Sequence, residues 1–338
     1  MMTLDIPNGH VQIGGRKSNL AVAQSKIVKK IIELAYPELK CSILALSTLG
    51  DKVQSKPLYS FGGKALWTKE LEILLLEAVD EYPKLDLIVH SLKDMPTNLP
   101  EEFELGCVLD RQDPRDAVVM KAGSKYRTLS DLPAGSIVGT SSVRRAAQLL
   151  KLHPQLKFDS VRGNVETRLR KLDDPESEYT CLLLAAAGLD RVGLSHRITY
   201  RLGVDEMYYA VGQGGLGVEI RKDDVNMKKI LGALEHQPTA FCCLAERSLM
   251  RYLEGGCSVP LGVHTLYNEE NKVLLFKGIV VAPDGHEHVE AEVSSKVTSK
   301  EEAEELGIKL GSMMIAKGAK KILDAINFER INQAPNAA

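Results

Sequence analysis

Aromatic side chains are scarce in this 338-residue chain: one tryptophan (Trp67), six phenylalanines and ten tyrosines, 5% of the sequence. A surface that stacks nucleic-acid bases needs aromatics interleaved with cations, and no segment offers that pattern. Neither sign of charge predominates. The 43 Lys and Arg stand against 45 Asp and Glu, a formal charge of −2, which excludes the diffuse basic coat of a polyanion-binding arm or tail. No run approaches the roughly 18 consecutive apolar residues of a membrane span. The opening MMTLDIPNGH has neither the basic nor the apolar part of an export signal, so the expected location is the cytoplasm, with no membrane and no nucleic acid as partner. Six cysteines (Cys41, Cys107, Cys181, Cys242, Cys243 and Cys257) include no CxxC pair, and a chain of this length needs no disulfide framework. All but Cys257 lie in or beside apolar stretches and are expected to be reduced and buried.

What is present is an ordinary soluble composition, 44% apolar and 26% charged, enough for two or three domains with a real core. Val11 to Ile13 reads as a strand. Leu20, Ala23, Ile27, Ile31 and Leu34 then recur at helical spacing until Pro37. A second strand is expected at 42–46, a helix at 66–79 and a nearly all-apolar strand at 85–90. Short apolar runs alternating with helices predict a mainly parallel sheet covered on both faces. The pattern restarts with strands near 116–120, 136–139, 158–161 and 180–186 and helices from about 142 and 165. After residue 235 a helix containing AFCCLAERSLMRYL leads into GGCSVPLG, then alternating strands and one long helix from about Ser299 to Ile326, a small α+β domain. The expected division is 1–110 with 213–235, then 111–212, then 236–338.

Arginine placement is the first chemical signal. GGRKSNLA sets Arg16 and Ser18 at the mouth of the first helix, GTSSVRRAAQLL sets Arg144 and Arg145 in the first turn after a Thr/Ser cap, and VRGNVETRLRKL sets Arg162 and Arg168 around a helix capped by Asn164. A helix N-terminus already carries about half a positive charge, so arginine there is misplaced unless an anion arrives. In α/β sheets these helix starts lie at the carboxyl ends of strands, where ligands bind. From Thr140 to Arg201 eleven Lys and Arg face seven Asp and Glu, a basic segment inside a neutral protein. Arginine's planar fork suits carboxylate or phosphate at defined points.

Three further motifs stand out. In VHSLKDMPTNLP a buried strand ends at Lys93 and Asp94, a carboxylate placed to stabilise a developing cation or to move a proton, or simply to cap a turn. Cys257 in GGCSVPLG is offered by two glycines as a nucleophile, an attachment point or a small residue; no paired histidine favours the protease-like option. Gly212, Gly214 and Gly217 satisfy GxGxxG, but VEI comes next, a strand and not the helix that a dinucleotide site requires. His286, His288 and Glu290 alternate on one strand face, a pattern expected to be solvated, and no metal site is assigned.

Taken together, GGRKSNLAVAQ, GGKALWTKELE, VHSLKDMPT, GTSSVRRAAQL, VRGNVETRL, AAAGLDRVG, VGQGGLGVE and GGCSVPLG resemble the hydroxymethylbilane synthase, or porphobilinogen deaminase, family of haem biosynthesis. The match runs from about Gly14 to Val263, with the motifs in the family's order. The resemblance implies an α/β fold of two periplasmic-binding-protein-like domains with a third, smaller α+β domain. It implies a monomeric transferase that condenses four porphobilinogens head to tail, losing four ammonia molecules, and releases the linear tetrapyrrole by hydrolysis. Cys257 then matches the cysteine carrying a covalent dipyrromethane cofactor through a thioether. Asp94 matches the catalytic aspartate beside the pyrrole NH groups, and Lys93 its companion. Arg16, Ser18, Lys93, Ser142, Arg144, Arg145, Arg162, Arg168 and Arg191 match positions that bind acetate and propionate groups or assist turnover. Trp67 stands where many relatives have Phe. The competing class is a non-catalytic anionic-ligand protein of periplasmic-binding type, which accounts for two α/β lobes and the arginines but not for a glycine-presented cysteine.

Overall fold

The computed structural model describes residues 6–47, 68–253 and 259–333, with side chains as far as Ile326. Two compact units form, Met1–Gln112 with Gly215–Ala240, and Asp113–Gly214 with Phe241–Ala338. In the first, β1 (His10–Arg16), α1 (Asn19–Ala35), β2 (Lys40–Leu46), α2 (Lys69–Leu76), β3 (Leu87–Ser91) and β4 (Phe103–Val108) are joined by a strand that returns from much later in the chain, β10 (Leu216–Arg221). The order is β2-β1-β3-β10-β4. The first three strands run parallel and β10 lies antiparallel to both of its neighbours.

Period-two alternation sorts this sheet's side chains into two layers. Val11, Ile13, Leu87, Val89, Val218 and Ile220 pack with Val28 and Ile32 of α1. Ile88 faces the other way, toward Leu71, Leu74 and Leu75 of α2. The helix expected at 66–79 ends at Leu76, because Glu77 turns to extended backbone, and the turn that follows has Asp80 left-handed and Val79 bridged to Tyr82; Leu66 and Trp67 lie outside the described residues.

The second unit begins with β5 (Asp116–Met120), β6 (Ile137–Gly139), α3 (Val143–Leu152), β7 (Lys157–Asp159), α4 (Val165–Asp173), β8 (Tyr179–Ala185), α5 (Ala186–Arg191) and β9 (Tyr200–Arg201), in the sheet order β7-β6-β8-β5-β9. Strand for strand this repeats the first sheet: three parallel strands, then one antiparallel insertion, then an edge strand. Both sheets are therefore mixed rather than mainly parallel. Each inserted strand, β10 and β5, arrives from outside the βαβ run, and a strand's direction within such a run constrains only its own members.

Beyond β10 the chain forms α6 (Val225–Gly232) and α7 (Gln237–Tyr252), then a three-stranded antiparallel sheet, β11 (Leu261–Asn268), β12 (Val273–Val281) and β13 (His288–Lys296), covered by α8 (Lys300–Ala316) and α9 (Ala319–Gln333). The single long helix expected at 299–326 is two, because Gly318 takes a left-handed φ of 97°, which only glycine adopts at little cost. No helix among the described residues is long and apolar enough to cross a membrane.

Helix α8 approaches α7 through Gly307 and Gly311. A Cβ at 307 would overlap the Ala245 carbonyl oxygen and lie 2.9 Å from the Leu249 amide nitrogen, and one at 311 would overlap the Tyr252 ring. Alanine is the better helix former by about 1 kcal/mol, yet the obstruction at 307 is backbone and cannot rotate away. Gly307→Ala is therefore expected to destabilise the protein by about 1–3 kcal/mol, read as a lower denaturation midpoint in urea; a higher midpoint would mean that helix propensity outweighs packing here.

Candidate active site

In the first unit, β1 and β3 are parallel neighbours, with Ile13 opposite Leu87 and Gly14 opposite Ile88, so the segments leaving the two strands emerge at one end of the sheet. Arg16 closes β1. Gly15 leaves room for α1, since a Cβ there would lie 2.6 Å from Ser25 Oγ. Ser18 caps α1, its Oγ accepting from the Ala21 amide at 3.3 Å. Beside it, β3 ends in a single 3₁₀ turn, Leu92–Asp94. Leu92 and Met95 are buried while Lys93 is half-buried and Asp94 exposed. Two apolar anchors thus push the carboxylate outward. The Leu92 amide donates to the Gly215 carbonyl at 3.0 Å, and Ser91 and Gln24 of α1 exchange side-chain hydrogen bonds, the shorter at 2.7 Å. Arg16, Ser18, Lys93 and Asp94 are thereby brought to one edge of the first sheet.

In the second unit the carboxyl ends of β6, β7 and β8, parallel and adjacent, carry the remaining groups. Ser142 caps α3, accepting from the Arg145 amide at 3.4 Å. After β7, Arg162 sits in the loop and Arg168 Nε donates to the Gly163 carbonyl at 2.8 Å, with Asn164 capping α4. Arg191 closes α5, which follows β8 directly. Cys257 lies outside the described residues.

The two arginines of α3 are buried, and the anion that answers them belongs to the chain itself. Arg144 donates to Asp116 Oδ2 and to the Tyr208 carbonyl, both at 2.7 Å. Arg145 donates through Nε and Nη2 to Asp116 Oδ1 at 3.0 and 2.8 Å, and through Nη1 to the Leu183 carbonyl at 2.8 Å. Gln213 Nε2 donates to the same carboxylate at 2.8 Å. Burial raises the Asp116 carboxyl, but Arg144 and Arg145 outweigh it and hold the group well below the ordinary carboxylate range. Sequence reading missed Asp116. Its signal was a lone carboxylate opening the apolar strand DAVVM.

Arg191 differs. Its Nη2 donates to the Gly214 carbonyl at 2.6 Å, while its buried Nε has no hydrogen-bond partner among the described residues. The neighbouring Asp190 gives its oxygens to Ser195 and Arg201. Burial draws the Arg191 guanidinium down to about 10, with Asp190 opposing. A buried cation with an unused donor fits a ligand carboxylate. Nearby, Gly212 N donates to Glu246 Oε2 of α7 at 2.8 Å. The segment 212–214 is thus held at successive residues by Glu246, Asp116 and Arg191. Glycines 212 and 214 take left-handed φ values, and β10 comes next as a strand, so this GxGxxG is no dinucleotide loop. Glu290, which alternates with His286 and His288, accepts from the Tyr208 hydroxyl at 2.6 Å.

In each α/β unit the helix starts and strand ends gather arginines and serines, and the first unit also carries the exposed Asp94. Comparison with known proteins makes this specific. The family model for the porphobilinogen deaminase dipyrromethane cofactor binding domain matches residues 11–229, and that for the porphobilinogen deaminase C-terminal domain matches 240–316. Porphobilinogen deaminase of Debaryomyces hansenii is 67% identical over 99% of this chain and 93% of that protein, and that of Saccharomyces cerevisiae 60% identical over 95% and 98%. The chain belongs to the porphobilinogen deaminase family. Among solved structures, an arginine periplasmic binding protein from Legionella pneumophila aligns at a TM-score of 0.38 and 14% identity, covering 67% of this chain and 92% of that one.

Asp116→Asn leaves two buried guanidinium groups without their carboxylate, and a loss of about 3–5 kcal/mol is expected, measured by denaturant unfolding at pH 7. The sign with pH comes from the depressed native value. The carboxylate's contribution is complete above the unfolded-state value near 3.9 and is lost only as pH falls below it toward the native value. The difference in stability between wild type and Asp116→Asn should therefore be flat from pH 8 to 5 and shrink below about 4; shrinkage between pH 7 and 5 would contradict it.

Proposed function

We propose that the chain is a hydroxymethylbilane synthase, a transferase that joins four porphobilinogens onto a covalently held dipyrromethane and releases the linear tetrapyrrole by hydrolysis. Membership of a family whose model is named for its dipyrromethane binding domain carries this reading. The donor chemistry agrees with it: pyrroles bearing acetate and propionate need fixed cations, and the unused Arg191 Nε is such a donor. When bound through a thioether to Cys257, dipyrromethane supplies the pyrrole carbon to which the first unit is joined.

The chain's own groups take three roles. Arg16, Ser18, Ser142, Arg162, Arg168 and Arg191 hold carboxylates and so orient each ring, while the buried Arg144 and Arg145, paired with Asp116, add a fixed positive field behind them. Holding both reactants turns each addition into an effectively unimolecular step. Each addition breaks the C–N bond of an incoming porphobilinogen, releasing ammonia, and forms a C–C bond to the pyrrole already present, whose displaced proton departs. Positive charge appears on pyrrole nitrogen along the way. The Asp94 carboxylate, fixed at the end of β3, stabilises that charge electrostatically, and Lys93 beside it offers a proton donor and a second carboxylate partner. We further read the chain as a cytoplasmic monomer in which residues 236–338 form the third domain.

Two measurements test the assignment. Intact mass spectrometry of the purified protein should give a mass above that of the chain by two condensed pyrrole units, and Cys257→Ala should give the bare chain; an active wild type of bare mass would end the attachment reading. Asp94→Asn should keep the fold and the adduct yet lose about 10²–10³-fold in kcat, as for removal of one group aimed at developing charge. A residual rate within tenfold of wild type would remove Asp94 from the chemistry.

A further inference from the structure

Among the described residues, the layer between the first sheet and α2 combines the apolar Leu71, Leu74, Leu75, Leu85 and Ile88 with a buried polar group. On β3, Leu87 and Val89 belong to the layer facing α1, and Ile88 to the layer facing α2; His90 shares the face of Ile88. On β10, Val218 and Ile220 face α1, which turns Gly217 and Glu219 toward α2. His90 is opposite Gly217 across the antiparallel pair, so Glu219 is its diagonal neighbour. The His90 Nε2 to Glu219 Oε2 distance is 2.7 Å, with the side chains 7% and 0% exposed. Glu72 of α2 is buried in the same layer. Burial raises its carboxyl, Glu219 acts in the same sense, and Thr68, His90 and Lys69 oppose.

Stability alone does not call for such a group, since a buried polar or ionic pair is often no better than a well-packed apolar pair of the same volume. Its place in the sheet suggests another role. The β10–β4 register shifts between Val218 and Glu219, so the ladder is irregular beside the pair, and irregular strands re-aim what they carry. Gly217 leaves a space that the Asp94 turn fills: a Cβ there would lie 2.8 Å from Leu92 Cδ1 and 3.4 Å from Met95 Sδ. The anchors of the turn therefore rest on the stretch of β10 between Gly215, which accepts from the Leu92 amide, and Glu219. A directional bond from β3 to β10 at this point fixes where the turn leaves the sheet.

We propose that His90 is a positioning residue for Asp94: its bond to Glu219 ties the end of β3 to the irregular stretch of β10 and so sets the direction of the Asp94 carboxylate. This rests on the reading of Asp94 as the carboxylate that acts on substrate.

The discriminating variant is His90→Leu with Glu219→Met, which removes the bond without stranding a buried charge. In the cofactor-loaded enzyme it is expected to melt at or above the wild-type temperature, keep KM within threefold and lose ten- to a hundredfold in kcat. His90→Gln, whose Nε2 can replace the imidazole Nε2 as donor to Glu219, should recover most of the lost kcat. Full kcat in the paired variant would overturn the proposal, as would a kcat loss that His90→Gln shares in full. Hydrogen exchange on the unaltered protein gives a reading that needs no substitution to fold. The Leu92 and Met95 amides should exchange as slowly as those of β3, and exchange at the rate of exposed loops would also overturn it. Asp94→Asn measured alongside separates the two readings. If it retains substantial turnover, the assignment of Asp94 falls. If it is inactive while the paired variant turns over at the wild-type rate, only the role of His90 falls.

Discussion

The second unit is organised around one buried carboxylate. Asp116 opens β5, the strand inserted antiparallel into its sheet, and receives Arg144 and Arg145 from the start of α3 and Gln213 from the segment leading to β10. Three parts of the chain, distant in sequence, meet on two oxygen atoms. Removing this carboxylate from water costs several kcal/mol, and the cost is offset by two cations, by three hydrogen bonds to Oδ1 and one to Oδ2, and by the backbone carbonyls that both cations also reach. Such a cluster is intolerant of displacement. A helix packed only by Ala147 and Leu149 has many near-equivalent seatings, whereas one whose first turn is locked to Asp116 has few, so the Ser142 cap and the helix start are held in one place.

The same rigidity extends along residues 212–214. Glu246 takes the Gly212 amide, Asp116 takes Gln213, and Arg191 takes the Gly214 carbonyl. Glu246 also accepts from Thr265 of β11 at 2.6 Å, and Tyr209, next to the segment, donates to or accepts from the same threonine. The segment is therefore tied both to the second α/β sheet and, through Glu246 of α7, to the C-terminal sheet.

Much of this was legible in the sequence, and the failures have physical causes. Caps at Ser18, Ser142 and Asn164 were readable because they depend on residues within one turn. The buried thiols of Cys41, Cys107, Cys181, Cys242 and Cys243 followed from apolar neighbours. The direction of β10 and β5 was not legible, because local pattern does not say where a returning strand inserts. Nor was Asp116, whose partners are at least 28 positions away, so that only tertiary contact turns a polar interruption into a structural charge. The early end of α2 turned on Glu77 taking extended backbone, and the break between α8 and α9 on Gly318. Helical periodicity continues across both, and a single backbone torsion overrides it.

The second unit holds buried arginines of two kinds, the pair at the start of α3 and Arg191 at the end of α5. Arg144 and Arg145 already share Asp116, two cations to one carboxylate, so they are pre-oriented and leave an excess of positive charge without being individually unsatisfied. Arg191 holds a backbone carbonyl instead and retains, among the described residues, a buried and unused Nε. The first arrangement supplies a fixed field and the second a specific point of attachment. Under the proposed function both arrangements serve a lengthening polyanion, because a fixed field needs no reorganisation as each pair of carboxylates arrives, while single donors set the position of individual rings. Near-neutral overall charge is then compatible with a locally anion-seeking site: the second unit sets its counter-charges against chosen cations, and Arg191, with its unused Nε, stands at the end of the short helix that follows a parallel strand.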